Sequence, residues 1–122
     1  MKVLAATEIL TALGHETRLA IYRLLVEAGP DGINASAIGE KLAIPPPTLS
    51  FHLAHLSRVG LIRGERESRF IHYSAAYETM DDLVAFLTHN CCKGKACLPK
   101  TARVASTAKR RADTKNSPPS QG

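Results

Sequence analysis

The chain of 122 residues is long enough for one domain with a modest hydrophobic core. It carries 16 Lys and Arg against 11 Asp and Glu, but this excess lies wholly after residue 97, where six basic residues meet Asp113 alone. No run approaches the roughly 18 apolar residues of a membrane span, and Glu8 interrupts the first apolar run, which argues against a secretory leader. We therefore expect a soluble cytoplasmic protein.

The first two elements are predicted to be helices. Residues 3–13 repeat apolar side chains at helical spacing, and the pattern stops at Gly14. Residues 15–28 repeat the signal and stop at Gly29, which Pro30 follows as the start of a turn.

A helix-turn-helix is predicted next. Asn34 is a good N-cap for a short helix that runs to about Leu42. The three prolines at 45–47 cannot continue that helix, but proline is favoured in the first turn of the next one. The second helix extends to Gly60 and is predicted to bury Leu49, Leu53 and Leu56. Two short helices joined by a tight turn are typical of a helix-turn-helix.

A β-hairpin and a closing helix complete the pattern. Strands are predicted over 61–65 and 69–74, separated by a polar turn at 66–68. The closing helix is predicted over 77–90, with an apolar stripe of Met80, Leu83, Val84 and Leu87. The expected fold class is therefore mainly α (α+β), a winged helix-turn-helix in the order helix-helix-helix-helix-strand-strand-helix. The closing stripe and the first helix are the candidate interface of a homodimer.

The domain is expected to occupy residues 1–97, followed by a basic, disordered tail over 98–122. The tail is rich in Thr, Ser, Ala, Lys and Arg and contains almost no large apolar residue. Such a tail either adds a salt-sensitive attraction to DNA phosphates or only solubilises the chain, and the sequence leaves both alternatives open.

All three cysteines lie in the segment CCKGKAC, as Cys91, Cys92 and Cys97. Thiolates select soft or thiophilic ions, and two adjacent cysteines can converge on one ion. Lys93 and Lys95 lie close enough in sequence to favour the thiolate forms. An odd number of thiols cannot all pair within one chain, so a structural disulfide is the weaker expectation.

The chain resembles the ArsR/SmtB family of metal-sensing winged-helix repressors over roughly residues 3–90. The resemblance lies in LGHETRLAIYRLL in the second helix, PPTLSFHLAHLSRVGLI across the recognition helix, and FIHYS in the hairpin. It implies a homodimer that binds an inverted repeat in double-stranded operator DNA and releases it when a metal or metalloid binds. The positions that match the family's recognition helix are Thr48, Ser50, Phe51, His52 and His55, of which Phe51 departs from the polar residue expected there. Arg58, Arg63, Arg66 and Arg69 are expected either to contact phosphates or the minor groove or to be ordinary solvated arginines.

The resemblance also directs the search for a sensor site. Helix three, where the family's best-known arsenic site has cysteines, has none here. The closing helix offers Asp81, Asp82 and His89 but lacks the second His of the family's four-ligand zinc sites. The cysteine cluster resembles that of arsenic sensors with C-terminal cysteines, which implies As(III), and by the same chemistry Sb(III), as the inducer held by three thiolates.

Other functions stay open at this stage. The same fold and thiols would serve a repressor that senses oxidation, methylarsenite or another soft metal such as Cd, Pb or Zn, and a constitutive DNA-binding module needs no ligand. An enzyme is not expected, and neither is a catalytic cofactor. The chain has no CxxC motif and no phosphate-binding glycine loop.

Overall fold

A computed structural model describes residues 1–94, and within them the chain forms five α-helices and one three-stranded antiparallel sheet. The elements are α1 (Val3–Leu13), α2 (Glu16–Ala28), β1 (Ile33–Asn34), α3 (Ala35–Leu42), α4 (Pro46–Arg58), β2 (Ile62–Glu67), β3 (Phe70–Ala75), α5 (Tyr77–Leu87) and a 3₁₀ turn (Cys91–Gly94). The predicted winged helix-turn-helix is confirmed. The predicted tail over 98–122 lies outside the described residues.

The chain divides into two units, residues 1–79 and 80–122. The first unit holds α1 to α4 and the whole sheet. Its core is built from aliphatic side chains that the apolar spacing places on inward faces, and the largest fully buried ones are Ile21, Leu25, Ile38, Leu56 and Leu61. Full burial of each such side chain contributes about 1.5–3 kcal/mol, so these residues fix α2, α3 and α4 around one centre.

Asn34 links the sheet to the helix-turn-helix. Its backbone pairs with His72 in β3, and its side-chain Oδ1 accepts a hydrogen bond from the N–H of Ala37 at 2.8 Å, which caps α3. The N-cap was predicted from the sequence, but β1 was not. The sheet therefore has the order β1-β3-β2, with β3 in the centre.

The wing differs in detail from the prediction. The strands pair from Ile62 with Ala75 to Glu67 with Phe70, so the turn lies at Ser68 and Arg69. The prediction of a turn at 66–68 was wrong because it treated polar residues as turn residues. In an exposed hairpin both faces are solvated, so Arg66 stays in the strand and only Ser68 adopts the left-handed backbone, at φ 62°.

The second unit contains most of α5 and the 3₁₀ turn. α5 ends at Leu87, three residues before the predicted end. Leu83 is buried, whereas Leu87 is 55% exposed, so the predicted apolar stripe is only partly covered in the single chain. None of the helices in residues 1–94 has the length and apolar character needed to span a membrane.

Candidate nucleic-acid interface and cysteine cluster

The turn between α3 and α4 is tight because Gly39 lacks a side chain. The N–H of Ile44 donates to the carbonyl oxygen of Gly39 at 3.0 Å. A Cβ on Gly39 would lie 3.2 Å from the Ile44 oxygen and 3.3 Å from Cδ2 of Leu49, closer than ordinary van der Waals contact. Ala43 reverses the chain in the left-handed region, at φ 54°. These contacts set the position of α4 against α3.

Prolines form the first turn of α4. Pro46 and Pro47 occupy its first two positions, where their missing N–H groups cost no helical hydrogen bond. The N–H of Leu49 already donates to the carbonyl oxygen of Pro45 at 2.9 Å. The first turn therefore lacks the backbone N–H groups at 46 and 47 that could otherwise donate to a phosphate. The hydroxyl groups of Thr48 and Ser50, which follow directly in the sequence, are the available donors.

The outer face of α4 carries most of the residues that the resemblance implies. Thr48, Ser50, Phe51 and Arg58 are exposed, and His55 is half-buried. Spacings of three and four residues place Thr48, Phe51, His55 and Arg58 on one side of the helix. The opposite side is buried by Leu49, Leu53 and Leu56, as predicted. α4 therefore packs against the domain through its apolar face and exposes a face of polar and aromatic residues.

His52 does not belong to this outer face. It is 6% exposed, and its Nδ1 accepts a hydrogen bond from Nη1 of Arg18 at 3.3 Å. Arg18 is itself 8% exposed, and its Nε donates to the carbonyl oxygen of Ala12 at 2.7 Å. His52 is therefore buried in the single chain, and its contact with DNA stays a prediction. Its side chain supports α4 from below, through the arginine of α2.

Neither Arg18 nor His15 was predicted from the sequence as a site residue. Both lie in the segment LGHETRLAIYRLL, and an arginine at an inward position of an apolar helix is the signal that could have identified the first. The His15 ring lies 4.8 Å from the His52 ring between centroids, and its Nδ1 caps α2 by accepting from the N–H of Thr17 at 3.2 Å. One polar cluster thus joins the start of α2 to the underside of α4.

The surroundings lower the pKa values of His52 and His55. Burial lowers the pKa of His52 below its ordinary value, and His15, Arg18 and His55 lower it further through their charges. The pKa of His55 is also lowered, first by burial and then by Arg18, Arg58 and His15. A neutral His52 can accept at Nδ1 from the guanidinium, whereas a protonated one would lose that bond and face a like charge.

The wing presents its own exposed residues. Arg66 lies in β2, and Arg69 follows the left-handed Ser68 in the turn. Both arginines are exposed. Phe70 beside them is 50% exposed. At the base of β2, Arg63 forms an ion pair with Glu78 in the first turn of α5. Hydrogen bonds from backbone and from this arginine hold the pKa of the Glu78 carboxyl below its usual value.

The first two predicted thiol ligands lie in the 3₁₀ turn. The Sγ atoms of Cys91 and Cys92 are 3.5 Å apart. Cys92 and Lys93 both adopt the left-handed backbone, at φ 55° and 57°, which costs a non-glycine residue about 1–2 kcal/mol. Cys97 lies outside the described residues. Within residues 1–94, no three His, Cys, Asp or Glu side chains are grouped closely enough to hold a metal ion.

Fold and surface together define a winged helix-turn-helix regulator of transcription. Residues 13–65 match the model of a helix-turn-helix domain family. The chain is 32% identical to the uncharacterized HTH-type transcriptional regulator MJ1325 of Methanocaldococcus jannaschii, over 65% of this chain and 86% of that protein. It is 34% identical to YbzH of Bacillus subtilis, an uncharacterized regulator of the same type, over 66% of this chain and 92% of that one.

A solved structure agrees with these relatives. HlyU from Vibrio cholerae superimposes with a TM-score of 0.58 at 25% identity, over 75% of this chain and 99% of that chain. The chain belongs to the family of HTH-type transcriptional regulators. Its α3 and α4 form the helix-turn-helix, and β2 and β3 form the wing.

Proposed function

We propose that this regulator is an arsenite-responsive repressor. In this proposal a homodimer binds an inverted-repeat operator and releases it when As(III) binds to the thiolates of Cys91, Cys92 and Cys97. The observation that carries the proposal is the pair of adjacent cysteines that follows α5, with sulfurs 3.5 Å apart. Antimony(III) is the second expected inducer because it prefers the same ligands.

Two adjacent cysteines can supply two thiolates to one thiophilic ion. Three thiolates complete a pyramid, whereas tetrahedral zinc would require a fourth donor.

The DNA-binding part of the proposal is supported by the open face of α4 and by the wing. Two symmetric reading helices fit a palindromic site whose halves are about one helical turn apart. The exposed apolar residues of α1 support a second copy of the chain as partner, since Val3 and Leu4 are 70% and 72% exposed. Burial of these side chains against a partner would recover stability that the single chain leaves unused.

Release requires a link between the cysteines and the reading elements. α5 begins beside the wing, where Glu78 pairs with Arg63 of β2, and the cysteines follow the end of the same helix. In the proposal, a change at the end of α5 acts through the start of the helix on the Arg63–Glu78 pair at the base of β2. Allosteric coupling of this kind is typically worth about 1–3 kcal/mol per site, which lowers operator affinity by about five- to 150-fold.

The test measures operator binding by the full chain with fluorescence anisotropy. An operator is first selected from fragments of genomic DNA, and arsenite, antimonite, methylarsenite, cadmium, zinc and peroxide are then titrated separately. Arsenite is expected to release the wild type. Variants with Cys91, Cys92 or Cys97 changed to Ser are expected to bind equally well without arsenite and to stay bound with it.

The outcomes separate the alternatives. Arsenite-driven release from a further variant, in which all three cysteines are changed to Ser, would overturn the proposed sensor. Release by peroxide but not by arsenite would identify a thiol redox sensor, and release by cadmium or zinc alone would identify a sensor of another soft metal. Operator binding that no ligand changes would identify a constitutive DNA-binding regulator.

A further inference from the structure

Two of the three phenylalanines in the chain are exposed, and both lie on elements of the candidate DNA interface. Phe51 on α4 is 67% exposed, and Phe70 in the wing is 50% exposed. A single exposed apolar residue is common on protein surfaces, so exposure alone indicates nothing. What distinguishes Phe51 is its position on the exposed face of α4.

Phe51 occupies the outward face of α4, on the side opposite Leu49, Leu53 and Leu56. Ala54, three residues further along the helix, is small and also exposed. A major groove about 12 Å wide admits a helix, and residues on this face are the ones that reach base edges.

The ring also has a fixed neighbour. Phe51 meets His52 edge to face, with centroids 5.6 Å apart and planes 69° apart. His52 is held by the guanidinium of Arg18 at 3.3 Å. A fixed neighbour limits the rotamers of the exposed ring, which reduces the entropy lost when the ring meets a ligand.

We propose that Phe51 reads thymine in the operator through contact with its C5-methyl group. A phenyl ring neither donates nor accepts a conventional hydrogen bond, so it cannot recognise the donors and acceptors on the base edges. The thymine methyl is the one apolar group that base pairs display in the major groove. Phe51 thus confers a preference for thymine over cytosine at one position of each half-site.

The inference rests on the proposed operator binding by α4, and its test removes single methyl groups from the DNA. Each thymine of the selected operator is replaced in turn by deoxyuridine, which keeps every hydrogen-bonding group. Removal of one buried methyl group is expected to weaken operator binding about fourfold. One thymine in each half-site is expected to show this loss with the wild type, and none with Phe51→Ala.

Phe70→Ala is the matched control, because it removes the other exposed ring while leaving α4 intact. It is expected to keep the same thymine sensitivity as the wild type, whatever its effect on total affinity. Circular dichroism checks that both variants are folded, which their exposed positions favour.

The outcomes distinguish this inference from the proposed function. A specific operator that tolerates deoxyuridine at every position, or a Phe51→Ala variant that retains the wild-type thymine sensitivity, would overturn the reading of thymine and leave operator binding intact. If selection yields no enriched sequence, operator recognition itself fails, and the role of Phe51 fails with it.

Discussion

Replacement of Arg18 by Met tests the polar cluster beneath α4. Methionine keeps much of the aliphatic stem but removes both hydrogen bonds, to the Ala12 carbonyl at 2.7 Å and to His52 Nδ1 at 3.3 Å. Each buried acceptor that loses its donor costs about 1–3 kcal/mol. Removing a charge that is 92% buried returns part of this, because the guanidinium no longer has to be desolvated. The expected net loss is about 2 kcal/mol.

The assay is urea denaturation of the full chain, followed by circular dichroism. In a thermal melt, a loss of about 2 kcal/mol corresponds to a decrease in Tm of roughly 8–16 °C for a domain of this size. Arg23→Met is the control, since it makes the same change on the same helix. Arg23 pairs with Glu27 at 3.1 Å, but their side chains are 59% and 65% exposed, so the expected cost is below about 1 kcal/mol.

The comparison can refute the reasoning. If Arg18→Met costs no more than Arg23→Met, the buried hydrogen bonds contribute nothing net, and the cluster does not support α4. A large loss at both positions would show instead that the change to methionine itself, and not the loss of the cluster, destabilises α2.

Three further predictions concern pH, glycine and salt. Stability is expected to be full above about pH 6.5 and to fall as the pH decreases, because the lowered pKa of His52 makes the unfolded chain bind the proton first, and His52→Gln should flatten this slope in urea titrations. Gly32→Ala should destabilise more than Gly29→Ala in urea, since both have positive φ but only at Gly32 would a Cβ meet a backbone carbonyl, at 2.6 Å. Arg66→Ala should reduce the salt dependence of operator binding by about one unit of slope per lost phosphate contact, and Arg63→Ala by less, because its guanidinium pairs with a carboxylate.

Each of these has a contrary result. A slope between about pH 7.5 and 5.5 that is unchanged in His52→Gln would assign the titration to another group. Equal losses at Gly32 and Gly29 would mean that the sheet moves to admit the new Cβ. Equal salt slopes for Arg66→Ala and Arg63→Ala would remove the distinction between an arginine in the wing and one paired at its base.

The helical part of the fold could be predicted because its signals are local. Gly14 and Gly29 end their helices, and Asn34 caps α3 through an atom of its own side chain. β1 could not be predicted in this way, since it has only two residues, Ile33 and Asn34, and exists only through its pairing with β3. A segment this short has no periodicity of its own.

The same distinction between local and long-range signals applies to the candidate site. Exposure of Thr48 and Phe51 follows from helical spacing on α4, and the same spacing gave the buried leucines. The burial of His52 does not follow from helical spacing, because His52 lies at the edge of the apolar face. Its orientation depends on the hydrogen bond with Arg18. The two residues are 34 positions apart in the chain, so no local sequence pattern could predict their hydrogen bond. The ligand role of Cys97 stays a prediction.

Asn34 joins the wing to the helix-turn-helix. Its backbone belongs to the sheet that carries the wing, while its side-chain oxygen holds the first turn of α3, so one residue anchors both. A hairpin fastened in this way cannot swing outward without loosening the helix-turn-helix. The spacing between α4 and the wing is therefore fixed. In the proposed operator complex, a duplex whose grooves do not match this spacing must itself be bent or twisted, at an energy that depends on its sequence.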